Sequence, residues 1–223
     1  MRRTWHAGLV GAAVLAGLVA IWLARTSPQD PILLAWDEAR YFKHAQDLYY
    51  DLVGFDLGQL LRDLRGLTFY PPGHSLVSAA WFALTAPTPW HLTALTVCVF
   101  GVAVGLSVLL GARLGSIWAG AAVGLLVAGA PVLQVFAATP MHEAFGVALT
   151  LAFTLVYWQP DGSTAEGRRL RAAAALFVMA WWTKYSFGLH LALALLVVHG
   201  TPAWAAWRAG DRAAARAAWR PAG

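Results

Sequence analysis

Cysteine and charge are what this chain has least of. A single cysteine, Cys98, in 223 residues excludes an intrachain disulfide, and its place inside an apolar run suggests no thiol chemistry. Charged residues make up 12% of the chain, against about 25% in soluble domains. No Cys/His spacing of a metal site, no glycine-rich phosphate loop and no short repeat occurs, so the usual nucleotide-binding signatures are missing. What is abundant is apolar: 59% of residues are hydrophobic and the mean hydropathy is +0.58. The expected class is a polytopic helical membrane protein. The net charge of +5 then implies no nucleic-acid partner, because the arginines gather at the ends of apolar spans, where they set orientation.

The acids are scarce and unevenly placed. Seven of the 11 lie between Asp30 and Asp63, with Asp37 and Glu38 adjacent, and none follows until Glu143. A carboxylate isolated in apolar sequence is a candidate functional group.

The first apolar span, about Trp5 to Ala24, follows Arg2-Arg3. It is longer than the roughly 7–15-residue core of a cleaved signal and no Ala-x-Ala site closes it, so a retained signal anchor over 1–25 is expected, with Arg25 onward outside. Residues 26–89 form the expected outer-side loop. Within it Asp37 to Val53 has helical spacing at Tyr41, Ala45, Leu48 and Leu52, suggesting an amphipathic helix on the membrane surface. Further apolar segments near 90–111, 116–138, 140–158, 170–184 and 186–206 make a five-helix bundle over 90–206, for about six spans in all. A basic cytoplasmic tail follows at 207–223. Segment 73–85 falls short of the roughly 20 residues that cross a bilayer. Read as an outer-side half-helix, it leaves Arg113, the Arg168–Arg171 cluster and Arg208–Arg220 all on the cytoplasmic side. Asp37-Glu38, Tyr70-Pro71-Pro72-Gly73-His74, His142-Glu143 and Lys184 then share the outer face.

Carboxylates and a lysine at one membrane boundary can remove a proton from an acceptor, orient it or share a divalent cation, and hold a phosphate leaving group. Each residue also has a plain structural reading. Asp37 and Glu38 suit a helix first turn, Glu143 suits a helix start after Pro140, and Lys184 could snorkel beside Trp181 and Trp182. His74 and His142 could be polar boundary residues.

Four motifs, in order, give the chain a resemblance to a known family. They are Trp36-Asp37-Glu38-Ala39-Arg40-Tyr41 after the first span, Tyr70-Pro71-Pro72-Gly73-His74 before a short apolar helix, Thr139-Pro140-Met141-His142-Glu143 opening a later span, and Thr183-Lys184. Together they resemble the GT-C superfamily of integral-membrane glycosyltransferases, in the bacterial branch of protein O-mannosyltransferases and the lipid A aminoarabinose transferase. The resemblance implies an inverting enzyme of the bacterial-type inner membrane, with its active site on the outer, periplasmic face. It implies a polyprenyl-phosphate sugar donor, a lipid, glycan or protein acceptor, and contacts with membrane lipids. It places Asp37 and Glu143 in the catalytic roles, with a divalent metal cation as a candidate cofactor between them. Glu38, Lys184, His142, His74 and Tyr70 would contact substrate, with Lys184 on the donor phosphate. Members of the family usually continue for several more spans, so this chain is expected to correspond to the N-terminal half, and where it has Glu143 related enzymes often have Asp. The competing classes are a non-enzymatic membrane assembly or scaffold subunit and a transporter. A transporter would keep ionisable groups near the bilayer midplane, whereas here they collect at one interface.

Overall fold

The computed structural model describes helical residues 11, 14, 16–19 and 21, and residues 36–67, 71–158 and 166–219. The ends of the first span, the 26–35 stretch, Tyr70, loop residues 159–165 and Arg220 onward lie outside the described residues. Every regular element described is a helix, as expected for an all-α chain.

Helix α1 (Trp36–Val53) opens on Asp37 and Glu38, whose charges complement the helix dipole. Tyr41, Ala45 and Leu48 are almost fully buried, which bears out the helical spacing. Their stripe does not face lipid as expected. It packs on α3 (Gly73–Leu84), with Ala45 in one cluster with Phe82 and Leu92, and Phe42 and Tyr49 edge-on to Phe82. A short helix with Ser78, Ala79 and Phe82 on its inner face is a better surface for these side chains than headgroups. Leu52, the fourth residue of the stripe, stays 40% exposed.

The chain then turns at Gly54-Phe55, where Phe55 takes φ 55°. Asp56 caps α2 (Leu57–Gly66) by accepting the Gln59 N–H at 2.8 Å. No residue of α2 is buried, and Leu57 and Leu61 lie open on one face. At about 1.5 Å per residue, the 12 residues of α3 reach about 18 Å, well under a bilayer thickness.

Helix α4 (Pro89–Leu114) begins with Thr88 as cap and Pro89 in its first turn, the position where a missing N–H does no harm. It turns tightly into α5 (Ile117–Gly129), capped by Ser116. Gly120 permits the crossing: a Cβ there would sit 2.4 Å from the Val108 carbonyl.

The apolar stretch expected as one span at 116–138 is broken. Helix α5 ends at Gly129, α6 (Pro131–Ala137) begins two residues on, and the two are bent by 65°. Proline disfavours helical backbone at the preceding residue, and Ala130 is accordingly extended at φ −68°, ψ 112°. Gln134 Nε2 donates to the Ala128 carbonyl at 2.7 Å, meeting one of the acceptors that the break strands.

Helices α7 (Glu143–Tyr157), α8 (Glu166–Thr183) and α9 (Tyr185–Arg208) follow, then a short α10 (Arg212–Ala217). Helix α8 starts four residues before the apolar segment expected at 170, so Arg168, Arg169 and Arg171 are its first turns rather than loop. Among the described residues α4 and α9 are long and apolar enough to cross a membrane, and the bent pair α5–α6 makes a third if it counts as one span. The N-terminal helical residues join the same core, where Val19 packs with Val97, Phe100 and Ala144.

The bundle has two chemically different ends. At one, Arg113 Nη1 at the close of α4 donates to the Leu155 and Trp158 carbonyls that end α7. Tyr157 meets His199 of α9 there at 2.6 Å, and buried Arg169 belongs to the same end through α8. A cation on the last carbonyls of a helix is the arrangement its dipole favours. At the opposite end are the starts of α3, α7 and α9.

Candidate functional site

The start of α7 brings the isolated acid to the isolated lysine. Thr139-Pro140-Met141 turns the chain, His142 takes the N-cap position and Glu143 occupies the first helical turn, where the dipole favours a carboxylate. Lys184 is the one extended residue (φ −160°, ψ 129°) between α8 and α9. Its Nζ donates to Glu143 Oε1 at 2.6 Å, with the two side chains 31% and 17% exposed. The other carboxylate oxygen, Oε2, is buried and has no hydrogen-bond partner among the described residues. An ion pair this sheltered is held by geometry as much as by charge, since each partner gives up water to form it.

Beside the pair is a nest of buried rings. His142 lies with its ring centroid 3.7 Å from that of Tyr41 of α1 and 4.8 Å from that of His74 of α3, the two histidines edge to face. His74 also meets Phe145, in the first turn of α7, at 4.9 Å. Tyr41, His74 and His142 are at most 2% exposed. Neither ring nitrogen of His74 has a hydrogen-bond partner among the described residues, and burial pushes its pKa down to about 4. His142 is held well below the usual histidine range by burial, then by His74 and by the Lys184 charge. Both rings are therefore neutral at neutral pH.

Two glycines let these elements approach. A Cβ on Gly73 would come 2.7 Å from the Trp182 carbonyl, so the start of α3 lies directly on the turn that carries Lys184. A Cβ on Gly146 would overlap the Phe187 ring at 1.9 Å, so α7 seats on α9 just beyond Glu143.

Of the residues singled out in the sequence, His74, His142, Glu143 and Lys184 come together at one end of the bundle. Asp37 is exposed and Glu38 half-buried in the first turn of α1. Asp37 precedes Tyr41 by one helical turn and so shares its face of α1. Tyr41 is the residue that sequence reasoning passed over as a packing position. Its four-residue spacing from Asp37 was the available signal.

Among the described residues no group of three or more His, Cys, Asp and Glu side chains could hold a metal ion. At Glu143 a positive charge is supplied by Lys184. No family model, curated protein or solved structure matches the chain.

Proposed function

We propose that this chain carries the catalytic end of an inverting membrane glycosyltransferase of the GT-C type. It would move a sugar from a polyprenyl-phosphate donor to a lipid, glycan or protein acceptor on the outer face of a bacterial-type inner membrane. The observation that carries the reading is the Glu143–Lys184 pair beside Tyr41, His74 and His142, at the end of the bundle opposite the arginines. In this reading the N-terminal helix, α4, α5–α6, α7, α8 and α9 are the six spans, and α3 is a half-helix in the outer leaflet.

The chemistry is a single displacement. The acceptor oxygen or nitrogen attacks the sugar C1, the C1–O bond to phosphate breaks, and its electron pair leaves on the phosphate. Asp37, in the exposed first turn of α1, takes the acceptor proton. The Lys184 ammonium stabilises the departing phosphate as a point charge. Without donor it rests on Glu143; a bound phosphate competes for it and leaves Glu143 to orient the acceptor. The buried neutral rings beside the ion pair add no competing charge to the site.

The same ion pair also favours a scaffold reading, since it ties α7 to the α8–α9 turn without any substrate. One assay separates the two. The full chain in proteoliposomes is given polyprenyl-phosphate sugars with candidate acceptors, and release of polyprenyl phosphate is measured. Asp37→Asn keeps the shape but removes the base, and should lower release about 10²–10⁴-fold. Glu143→Gln should be similarly severe, and Lys184→Met should chiefly raise the donor KM. Undiminished release by Asp37→Asn excludes it as the base, and a parent chain that releases nothing from any donor supports the scaffold.

A further inference from the structure

A groove of about 570 Å³ lies at the arginine-rich end of the bundle, far along α9 from Lys184. It is formed where α10 folds back beside the last turns of α9. Leu196, Trp204, Trp207 and Trp219 supply apolar walls, and Arg212 and Arg216 line it from α10. The two arginines are four residues apart and so point from one face of α10. No acid is among the lining residues; Asp211, beside Arg212, is engaged in capping Ala214 N at 2.8 Å.

The groove is held open by specific contacts rather than by loose apposition. His199 Nδ1 lies 2.7 Å from the Ala218 carbonyl, and its Nε2 2.6 Å from the Tyr157 hydroxyl. A carbonyl only accepts, so Nδ1 carries the proton, and in the neutral ring Nε2 then accepts from tyrosine. The same imidazole stacks on Trp219 at 6.0 Å. One buried ring therefore fixes the end of α10 to both α9 and α7. Trp204, Trp207 and Trp219 nevertheless remain 58%, 58% and 54% exposed. Three half-open indoles beside two open guanidinium groups form a surface that is apolar along α9 and cationic at its rim.

We infer that this groove binds an anionic phospholipid of the adjacent leaflet, with the phosphate between Arg212 and Arg216 and an acyl chain along Leu196 and the tryptophans. Charge complementarity selects this occupant. Two cations on one face of α10 attract a phosphate by their charge, as basic residues at an anionic membrane surface do. A zwitterionic lipid would bring a second cation to the same two arginines. The inference is independent of the glycosyltransferase reading, because it concerns the other end of the molecule.

The test uses the full chain in neutral detergent, offered equimolar phosphatidylglycerol and phosphatidylcholine and followed by native mass spectrometry. Phosphatidylglycerol should stay bound at collision energies that strip phosphatidylcholine. Arg212→Gln with Arg216→Gln should lower its retention at least about tenfold, while Arg212→Lys with Arg216→Lys should keep most of it. Arg168→Gln with Arg171→Gln, at the same end but outside the groove, should leave it unchanged. Equal retention of the two lipids by the parent would overturn the inference. So would retention by the glutamine pair within about twofold of the parent, or a loss in the lysine pair as large as in the glutamine pair.

Discussion

At the scale of single residues, the site rests on two charges that are paired with each other. Removing one leaves its partner half-sheltered and unpaired, which costs more than removing both. Glu143→Gln and Lys184→Met should each destabilise the chain, and the double variant should recover on the order of 1–2 kcal/mol of the summed loss. A denaturation cycle over the four proteins checks this; strict additivity would mean the pair is not coupled. His74 allows a second test. Its folded pKa of about 4 lies below the ordinary 6.5, so between those values the unfolded chain binds a proton that the folded chain refuses. Stability should therefore fall as pH drops from about 6.5 to about 4, by on the order of 3 kcal/mol from this group. His142 and His44 are also lowered, mainly by burial, and add in the same direction. His74→Leu should flatten the slope, and an unchanged slope would show that His74 does not carry it. Glu143 and Lys184 were legible in the sequence because each is a lone charge in apolar surroundings. Their pairing was not, because 41 residues separate them and only the antiparallel return of α8 brings them together. Tyr41 was hidden for the opposite reason: an aromatic at helical spacing reads as packing whatever it touches.

At the scale of elements, two departures from expectation share a cause, which is that hydrophobic periodicity does not say what a face packs against. The stripe of α1 is real, but protein covers it instead of lipid. The apolar stretch 116–138 has no period to betray a break, and Pro131 alone marks it. Gln134 makes that break testable. Gln134→Leu should cost about 1–3 kcal/mol in the parent, because it leaves the Ala128 carbonyl without its donor. The cost should largely vanish with Pro131→Ala, where a restored N–H lets the helix run through. An equal cost in both backgrounds would sever Gln134 from the bend. In the α1–α2 hairpin, Asp51 is the buried acid, and burial together with the Asp63 carboxylate raises its pKa. A raised folded pKa favours the fold at low pH and is a growing burden as pH rises. Asp51→Asn should therefore raise the thermal midpoint more at neutral pH than at about pH 3, below the ordinary 3.8 of the group; a uniform shift would point to packing alone.

At the scale of the whole molecule, the helices sort charge to opposite ends. Arg113 on the final carbonyls of α7, with buried Arg169 on α8, fixes one end as cationic. Glu143 on Lys184 fixes the other. The positive-inside rule turns this asymmetry into a proposed orientation, and the proposed outer-face site and the proposed inner-leaflet lipid groove both depend on it. The all-helical, apolar character of the chain was legible in its composition, and the arginine positions led to the expected alternation of spans, while the bend within α5–α6 and the covering of α1 by α3 had to come from packing. The most direct measurement is sidedness by single-cysteine labelling of the full chain in intact cells, in a Cys98→Ala background. Ser27→Cys, Met141→Cys and Tyr185→Cys should react with an impermeant maleimide from outside, while Ser116→Cys and Ser163→Cys should react only after the membrane is opened. Labelling of Ser163→Cys from outside would invert the bundle, and with it the site.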